Sequence, residues 1–76
     1  MTRCELLSEV SDEIDRARSL YHGYHSGHEG WAVIREELDE LWDEIKASKG
    51  TKCNDAMRRE AIQVAATAMR FIEDLY

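Results

Sequence analysis

Apolar residues recur along the chain at steps of three and four, the spacing that places them on one side of an α-helix. The pattern is interrupted twice, by a connector containing Gly23 and Gly27 and by a polar loop containing Gly50. It therefore predicts three helices, over about residues 3–21, 27–48 and 54–75. Proline is absent and β-branched residues are sparse, which favours an all-α chain.

Capping signals stand at the predicted helix ends. Ser26 and Glu29 have the Ser-x-x-Glu spacing of a capping box, in which each side chain bonds the backbone N–H of the other residue. Asn54 is a suitable N-cap for the third helix, and Gly50 is expected to end the second. Because the loop between these two helices is short, we expect them to form an antiparallel hairpin.

Each predicted helix has an apolar seam that we expect to be buried. In the second helix the seam includes Trp31 and Trp42, which we expect to pack in the core or at a subunit interface, with stacking on a base as the alternative. The expected core positions are Leu6, Leu7, Val10, Ile14, Ala17, Leu20, Tyr21, Trp31, Ile34, Leu38, Leu41, Trp42, Ile45, Met57, Ala61, Val64, Ala65, Ala68, Ile72 and Leu75.

The length of the chain, 76 residues, indicates one domain spanning residues 1–76. A domain of this size hides only about 60–65% of the surface that its unfolded chain exposes, so its core alone is marginal. We therefore expect a homodimer or homotetramer in which a second copy completes a four-helix-type bundle.

The chain is acidic, with a net charge of −6 and a pI near 4.9. Such a field repels the phosphates of nucleic acid polymers and the head groups of anionic membranes, so neither is an expected partner. No apolar run approaches the roughly 20 residues needed to span a bilayer, and the first residues lack the apolar stretch of a signal peptide. We expect a cytoplasmic protein.

Acidic residues are concentrated on the second predicted helix. Glu37 and Glu40 are three residues apart, so both carboxylates can reach one ion. Glu60 and Gln63 have the same spacing on the third helix, and the hairpin brings them level with the middle of the second. Four converging oxygen ligands suit Mg²⁺, and also Mn²⁺. The alternative is a solvated acidic face, which is common on amphipathic helices.

A pair of motifs is carried by the segments HSGHEGWAVIREELDELWDEIK and MRREAIQVAATAMRFIEDL. The first contains Glu-Glu-Leu-Asp-Glu at residues 36–40, and the second contains Glu60. This ordered pair resembles the Glu-Glu-x-x-Glu and Glu-x-x-Asp signature of the MazG-like all-α nucleoside triphosphate pyrophosphohydrolases. The resemblance implies that Glu37, Glu40 and Glu60 bind Mg²⁺, and it places Gln63 where the family has its last acid.

The activity implied by the resemblance is hydrolysis of a nucleoside triphosphate to its monophosphate and pyrophosphate. Glu36 is the expected base that takes a proton from the attacking water. Arg58, Arg59 and Lys52 are candidates for contacts with substrate phosphates, with salt bridges to acids of the second helix as the alternative. Because Gln63 lacks the negative charge of an acid, the alternative function is a non-catalytic helical module that oligomerises or binds a nucleotide or metal.

Overall fold

The computed structural model describes residues 1–48 and 54–76. These residues form three helices, α1 (Arg3–Leu20), α2 (Gly27–Ala47) and α3 (Asp55–Leu75). For this part of the chain the predicted all-α class is confirmed, and each helix end lies within one residue of its predicted position. The predicted end of α2 at Gly50 lies outside the described residues. In the described ranges, no helix combines the length and the apolar character needed to cross a membrane.

Each helix begins at a polar cap. Thr2 caps α1, and the predicted caps Ser26 and Asn54 are confirmed, since their side chains accept hydrogen bonds from backbone N–H groups of the first turns at 3.1 and 2.9 Å. The capping box predicted at Ser26 is wrong in its second half. The Glu29 carboxylate lies 3.6 Å from His22 Nδ1 instead of returning to the backbone of Ser26.

α2 and α3 pack as the predicted antiparallel hairpin. Near the start of α2, Gly30 lies against Phe71, which is near the end of α3. In the middle of α2, Glu37 lies beside Glu60, which is near the start of α3. The two helices therefore run in opposite directions along their shared face.

α1 packs against α3 and runs parallel to it. Arg58 of α3 donates a 3.0 Å hydrogen bond to Glu9 of α1, and further along both helices Arg18 pairs with Asp74 at 2.8 Å. Within residues 1–48 and 54–76, α1 and α2 do not pack directly on each other. α3 is thus the helix that contacts both of the others, and a gap separates α1 from α2.

The buried core is small and lies between α1 and α3. Val10, Ile14 and Ala66 form its centre, and Ile62 and Ala65 pack half-buried against it. The middle of the predicted α1 seam is therefore confirmed. The prediction is wrong at both ends of α1. Among the described residues this helix packs on α3 alone, and it leaves exposed Leu6, Leu7, Leu20 and Tyr21.

The predicted seam of α2 is largely exposed in the single chain. Trp31 is 58% exposed and Trp42 is 54% exposed, so a core role for either tryptophan is wrong here. α2 instead turns toward α3 a stripe that contains Gly30 and the half-buried Glu37. The other seam residues left exposed on α2 and α3 are Leu38, Ile45, Ala61, Ala68 and Ile72.

The connector between α1 and α2 is anchored to the end of α3. The Tyr24 N–H donates to Asp74 Oδ2 over 2.8 Å, and Arg18 bridges Asp74 at 2.8 Å and Glu73 at 2.9 Å. The Arg18 guanidinium, with the Tyr24 N–H, lowers the pKa of the Asp74 carboxyl. This anchor holds the Tyr24 ring, which is 6% exposed, beside Gly30.

We expect Gly30→Ala to destabilise the fold. A Cβ atom at Gly30 lies 2.4 Å from Cδ2 of Phe71 and 3.3 Å from Cδ2 of Tyr24, so the aromatic rings must shift. The cost of overpacking exceeds the helix propensity that alanine gains over glycine, and we expect a net loss of about 1 kcal/mol in the free energy of unfolding. Thermal unfolding should show a midpoint lower by about 4–8 °C.

Gly27→Ala is the matched control. The nearest atom to a Cβ there is Phe71 Cζ at 4.0 Å, an ordinary contact. The midpoint of this variant should stay the same or rise. Equal losses in the two variants would contradict the close packing described at Gly30.

Candidate functional site

Three glutamates from two helices meet on the face that α2 and α3 share. One carboxylate oxygen from each of Glu37, Glu40 and Glu60 lies within 4.8 Å of the others. Glu37 and Glu40 share a helix face because they are three residues apart, and the antiparallel packing of α3 brings Glu60 to them. In residues 1–48 and 54–76, no other three acidic, histidine or cysteine side chains come together in this way. We call these three residues the glutamate triad.

The environment of the triad disfavours the charged forms of Glu37 and Glu60. Burial, followed by the neighbouring Glu40 carboxyl and the charges of Glu60 and Glu36, raises the pKa of Glu37 to about 7. Burial and the charge of Glu40 also raise the pKa of Glu60, and Arg59 offsets this in part. A raised pKa means that the cluster favours a bound proton, or another positive charge, near neutral pH.

Two triad atoms have no hydrogen-bond partner among the described residues. They are Oε2 of Glu37 and Oε2 of Glu60, and both are inaccessible to solvent. A buried carboxylate oxygen without a donor is unfavourable, and a cation would satisfy it. The carboxylate oxygens of the triad are suitable ligands for a hard divalent ion, which prefers oxygen to nitrogen or sulfur.

A cavity of about 550 Å³ adjoins the triad in the gap between α1 and α2, and Glu60 is not among the residues that line it. Glu37 and Glu40 line this cavity together with the predicted base Glu36 and the predicted fourth ligand Gln63. Glu36 is exposed and Gln63 is half-buried. The structure thus places all four of these predicted residues around one space.

Two of the predicted substrate-binding residues, Arg58 and Arg59, lie within the described part of the chain, and neither lines this cavity. Arg58 forms its ion pair with Glu9 of α1, so the expected salt bridge from this residue to an acid of the second helix is wrong. The reason is that α3 turns Arg58 toward α1, where it lines a second, more open cavity with Arg59. Arg59 is close enough to the triad to influence Glu60. Lys52 lies outside the described residues.

The cavity also contains residues that the sequence pattern did not single out, among them Tyr24, Thr67 and Arg70. Arg70 and Thr67 are buried, at 5% and 6% exposure. Glu60, Gln63, Thr67 and Arg70 follow one another at steps of three, four and three, which places all four on one face of α3. This polar stripe between apolar positions is the signal that could have identified Arg70.

We expect the metal-free protein to lose stability as Glu37 ionises. An acid with a raised pKa binds its proton more tightly in the folded than in the unfolded chain, so Glu37 lowers stability progressively as pH rises from 4.5 to about 7. Glu37→Gln removes this contribution. Above pH 7 the variant should be more stable than the wild type by about 1 kcal/mol, a value reduced for partial solvation of the carboxyl.

The measurement is urea unfolding of both proteins in chelator across this pH range, with Asp43→Asn as the matched control. Asp43 is an exposed acid of α2 that pairs with Lys46 and is not among the charges that raise the pKa of Glu37, so its variant should follow the wild-type pH dependence closely. If the free energy of unfolding of Glu37→Gln changed with pH in parallel with that of the wild type, the pKa of Glu37 would not be raised in the folded chain.

Comparison of the chain with models of protein families, with curated proteins and with solved structures finds no match.

Proposed function

We propose that the glutamate triad binds Mg²⁺, or Mn²⁺ in its place, and that the chain hydrolyses a nucleoside triphosphate to a monophosphate and pyrophosphate. The convergence of Glu37, Glu40 and Glu60 within 4.8 Å is the observation that carries the proposal. The unpartnered oxygens on Glu37 and Glu60 support it, because they give a cation a favourable role.

The proposed reaction breaks the anhydride bond between the α and β phosphates. Mg²⁺ bound by the triad would supply positive charge to the phosphate oxygens and would make a nearby water more acidic. Glu36 lines the same cavity and takes the proton that this water loses as it attacks phosphorus. Pyrophosphate leaves with the electron pair of the broken bond, and Gln63 contributes a neutral carbonyl oxygen to the ligand set.

The resemblance to the MazG-like pyrophosphohydrolases supports this reaction class. Residues 36–40 match the first half of that signature, and Glu60 matches the start of the second. The departure at Gln63 removes one negative charge, so we expect weaker metal binding than a fourth acid would give.

Self-association forms part of the proposal. Trp31 and Trp42 are more than half exposed, with Leu38 and Ile45 on the same helix also exposed. An apolar surface of this kind is characteristic of an interface. We propose that a second copy, or three further copies, cover it and complete the bundle.

The first test is thermal unfolding with and without Mg²⁺. Metal at a hundred times its dissociation constant adds about 2.7 kcal/mol, which should raise the midpoint by roughly 10 °C or more. Glu60→Gln should abolish most of this shift, because it removes the charged ligand that α3 supplies. Asp43→Asn is the control, since Asp43 lies on α2 and pairs with Lys46 at 3.4 Å. Equal shifts in all three proteins would place the metal elsewhere.

The second test is pyrophosphate release from canonical and modified nucleoside triphosphates. The wild type should release pyrophosphate with Mg²⁺ and should be inactive in chelator. Gln63→Asp should raise the rate at limiting Mg²⁺, because the added charge strengthens metal binding. Release that is unchanged by chelator and by Glu60→Gln would contradict the proposed reaction.

The second candidate function is a non-catalytic oligomerisation or binding module of the same fold. The neutral Gln63 and the exposed apolar surface of α2 are the observations that favour it. A protein that binds Mg²⁺ at the triad but releases no pyrophosphate, even as Gln63→Asp, belongs to this class.

A further inference from the structure

A buried arginine lies at the other end of the cavity from the triad. Arg70 is 5% exposed and lines the cavity, with Cζ 4.7 Å from the centre of the Tyr24 ring. Its Nε is buried without an acceptor, and among the described residues no acid forms an ion pair with its guanidinium. The guanidinium stacks on the Tyr24 ring and its charge contributes to the lowered pKa of Asp74, but the buried Nε still lacks an acceptor. A buried donor without an acceptor is destabilising, so these structural contacts alone account poorly for Arg70.

The two acids that follow Arg70 on α3, Glu73 and Asp74, both pair with Arg18. Asp74, one helical turn after Arg70, accepts from Arg18 at 2.8 Å and from the backbone of Tyr24 at 2.8 Å. The Tyr24 hydroxyl, which lines the same cavity, is also buried without a partner in the described ranges. The Arg70 Nε and the Tyr24 hydroxyl, on adjacent side chains, therefore both lack a hydrogen-bond partner among the described residues.

The missing partner must be an acceptor. An arginine guanidinium donates hydrogen bonds and accepts none, and the Tyr24 hydroxyl can donate as well. A small free anion is disfavoured, because the cavity is lined by five glutamates against two arginines, Arg16 and Arg70, and its net charge is negative. The group that reaches Arg70 is therefore a neutral acceptor, such as a carbonyl oxygen, on a ligand whose charge is neutralised elsewhere.

The dimensions of the cavity are compatible with a nucleotide. Glu60 and Arg70 are ten residues apart on one face of α3, about 15 Å along the helix axis. A cavity of about 550 Å³ lies within the usual size range of small-molecule sites. A nucleotide whose phosphates lie at the triad extends its base along this face toward Arg70.

We propose that Arg70 and Tyr24 select the base of the bound nucleotide, favouring guanine over adenine. This rests on the proposed function, since it places the phosphates at the triad. Guanine presents two adjacent acceptors, O6 and N7, that one arginine can bond together, whereas adenine replaces O6 with an amino donor. On the corresponding edge uracil and thymine present a single acceptor, the carbonyl oxygen O4, and we expect them to rank between the two purines.

The test is calorimetric binding of non-hydrolysable α,β-methylene analogues of GTP and ATP to the full chain with Mg²⁺. The GTP analogue should bind at least about fivefold more tightly, the lower end of what such an arginine contact discriminates. Arg70→Met keeps much of the side-chain volume and should bring the ratio close to one while leaving the Mg²⁺-induced thermal shift in place. Tyr24→Phe keeps the ring beside Arg70 and should lower the ratio in part.

Arg35→Met is the matched control, because Arg35 is exposed and pairs with Asp39 at 3.1 Å. It should leave the ratio unchanged. Should Arg70→Met fail to fold, Tyr24→Phe decides: an unchanged ratio in that variant overturns the assignment.

Other outcomes separate this inference from the proposed function. Equal affinity of the wild type for the two analogues overturns base selection and leaves nucleotide binding in place. An Arg70→Met variant that weakens both analogues and inorganic pyrophosphate by the same factor shows that Arg70 holds phosphate, which also overturns it. Absence of binding by either analogue, with the Mg²⁺ shift retained, overturns both the inference and the proposed function.

Discussion

α3 contacts both α1 and α2, and within the described residues those two helices do not pack on each other. One helix must therefore supply two packing faces, and the stripe between them faces the gap. On α3 the packing faces carry small residues such as Ala65, and the stripe that lines the gap carries Gln63, Thr67 and Arg70. The cavity and its polar lining both follow from this central position of α3.

The packing of α3 on α2 brings the carboxylates of the triad together, which is unfavourable. Like charges repel, and partial burial strengthens the repulsion because less water screens it. The result is the pKa of about 7 for Glu37 and the raised pKa of Glu60. The repulsion destabilises the metal-free protein, and a bound divalent ion would relieve it. The residues that weaken the fold are therefore the ones that support the proposed metal site. Arg70, buried at the opposite end of the cavity, is a positive group whose unsatisfied Nε likewise weakens the fold. A ligand that accepts its hydrogen bonds would stabilise the protein there.

Much of this could be predicted from the sequence, because helix periodicity, caps and spacing are local properties. The three helices, the cap at Ser26 and the meeting of Glu37 with Glu60 follow from such patterns. The rotation of α2 about its axis does not, since it depends on which neighbour the helix meets, and it leaves Trp31 exposed. The pairing of Arg58 with Glu9 does not follow from the sequence either, because no local pattern indicates that α1 lies beside that turn of α3.

The central claim is that the triad acts as one site for a divalent cation. Anomalous diffraction from crystals of the full chain grown with Mn²⁺ tests it most directly, because the signal locates the ion independently of any assay. The account predicts a single strong peak within coordination distance of Glu37, Glu40 and Glu60, absent in crystals of Glu60→Gln. Peaks scattered along the exposed acids of α2, with none between these three side chains, would contradict it.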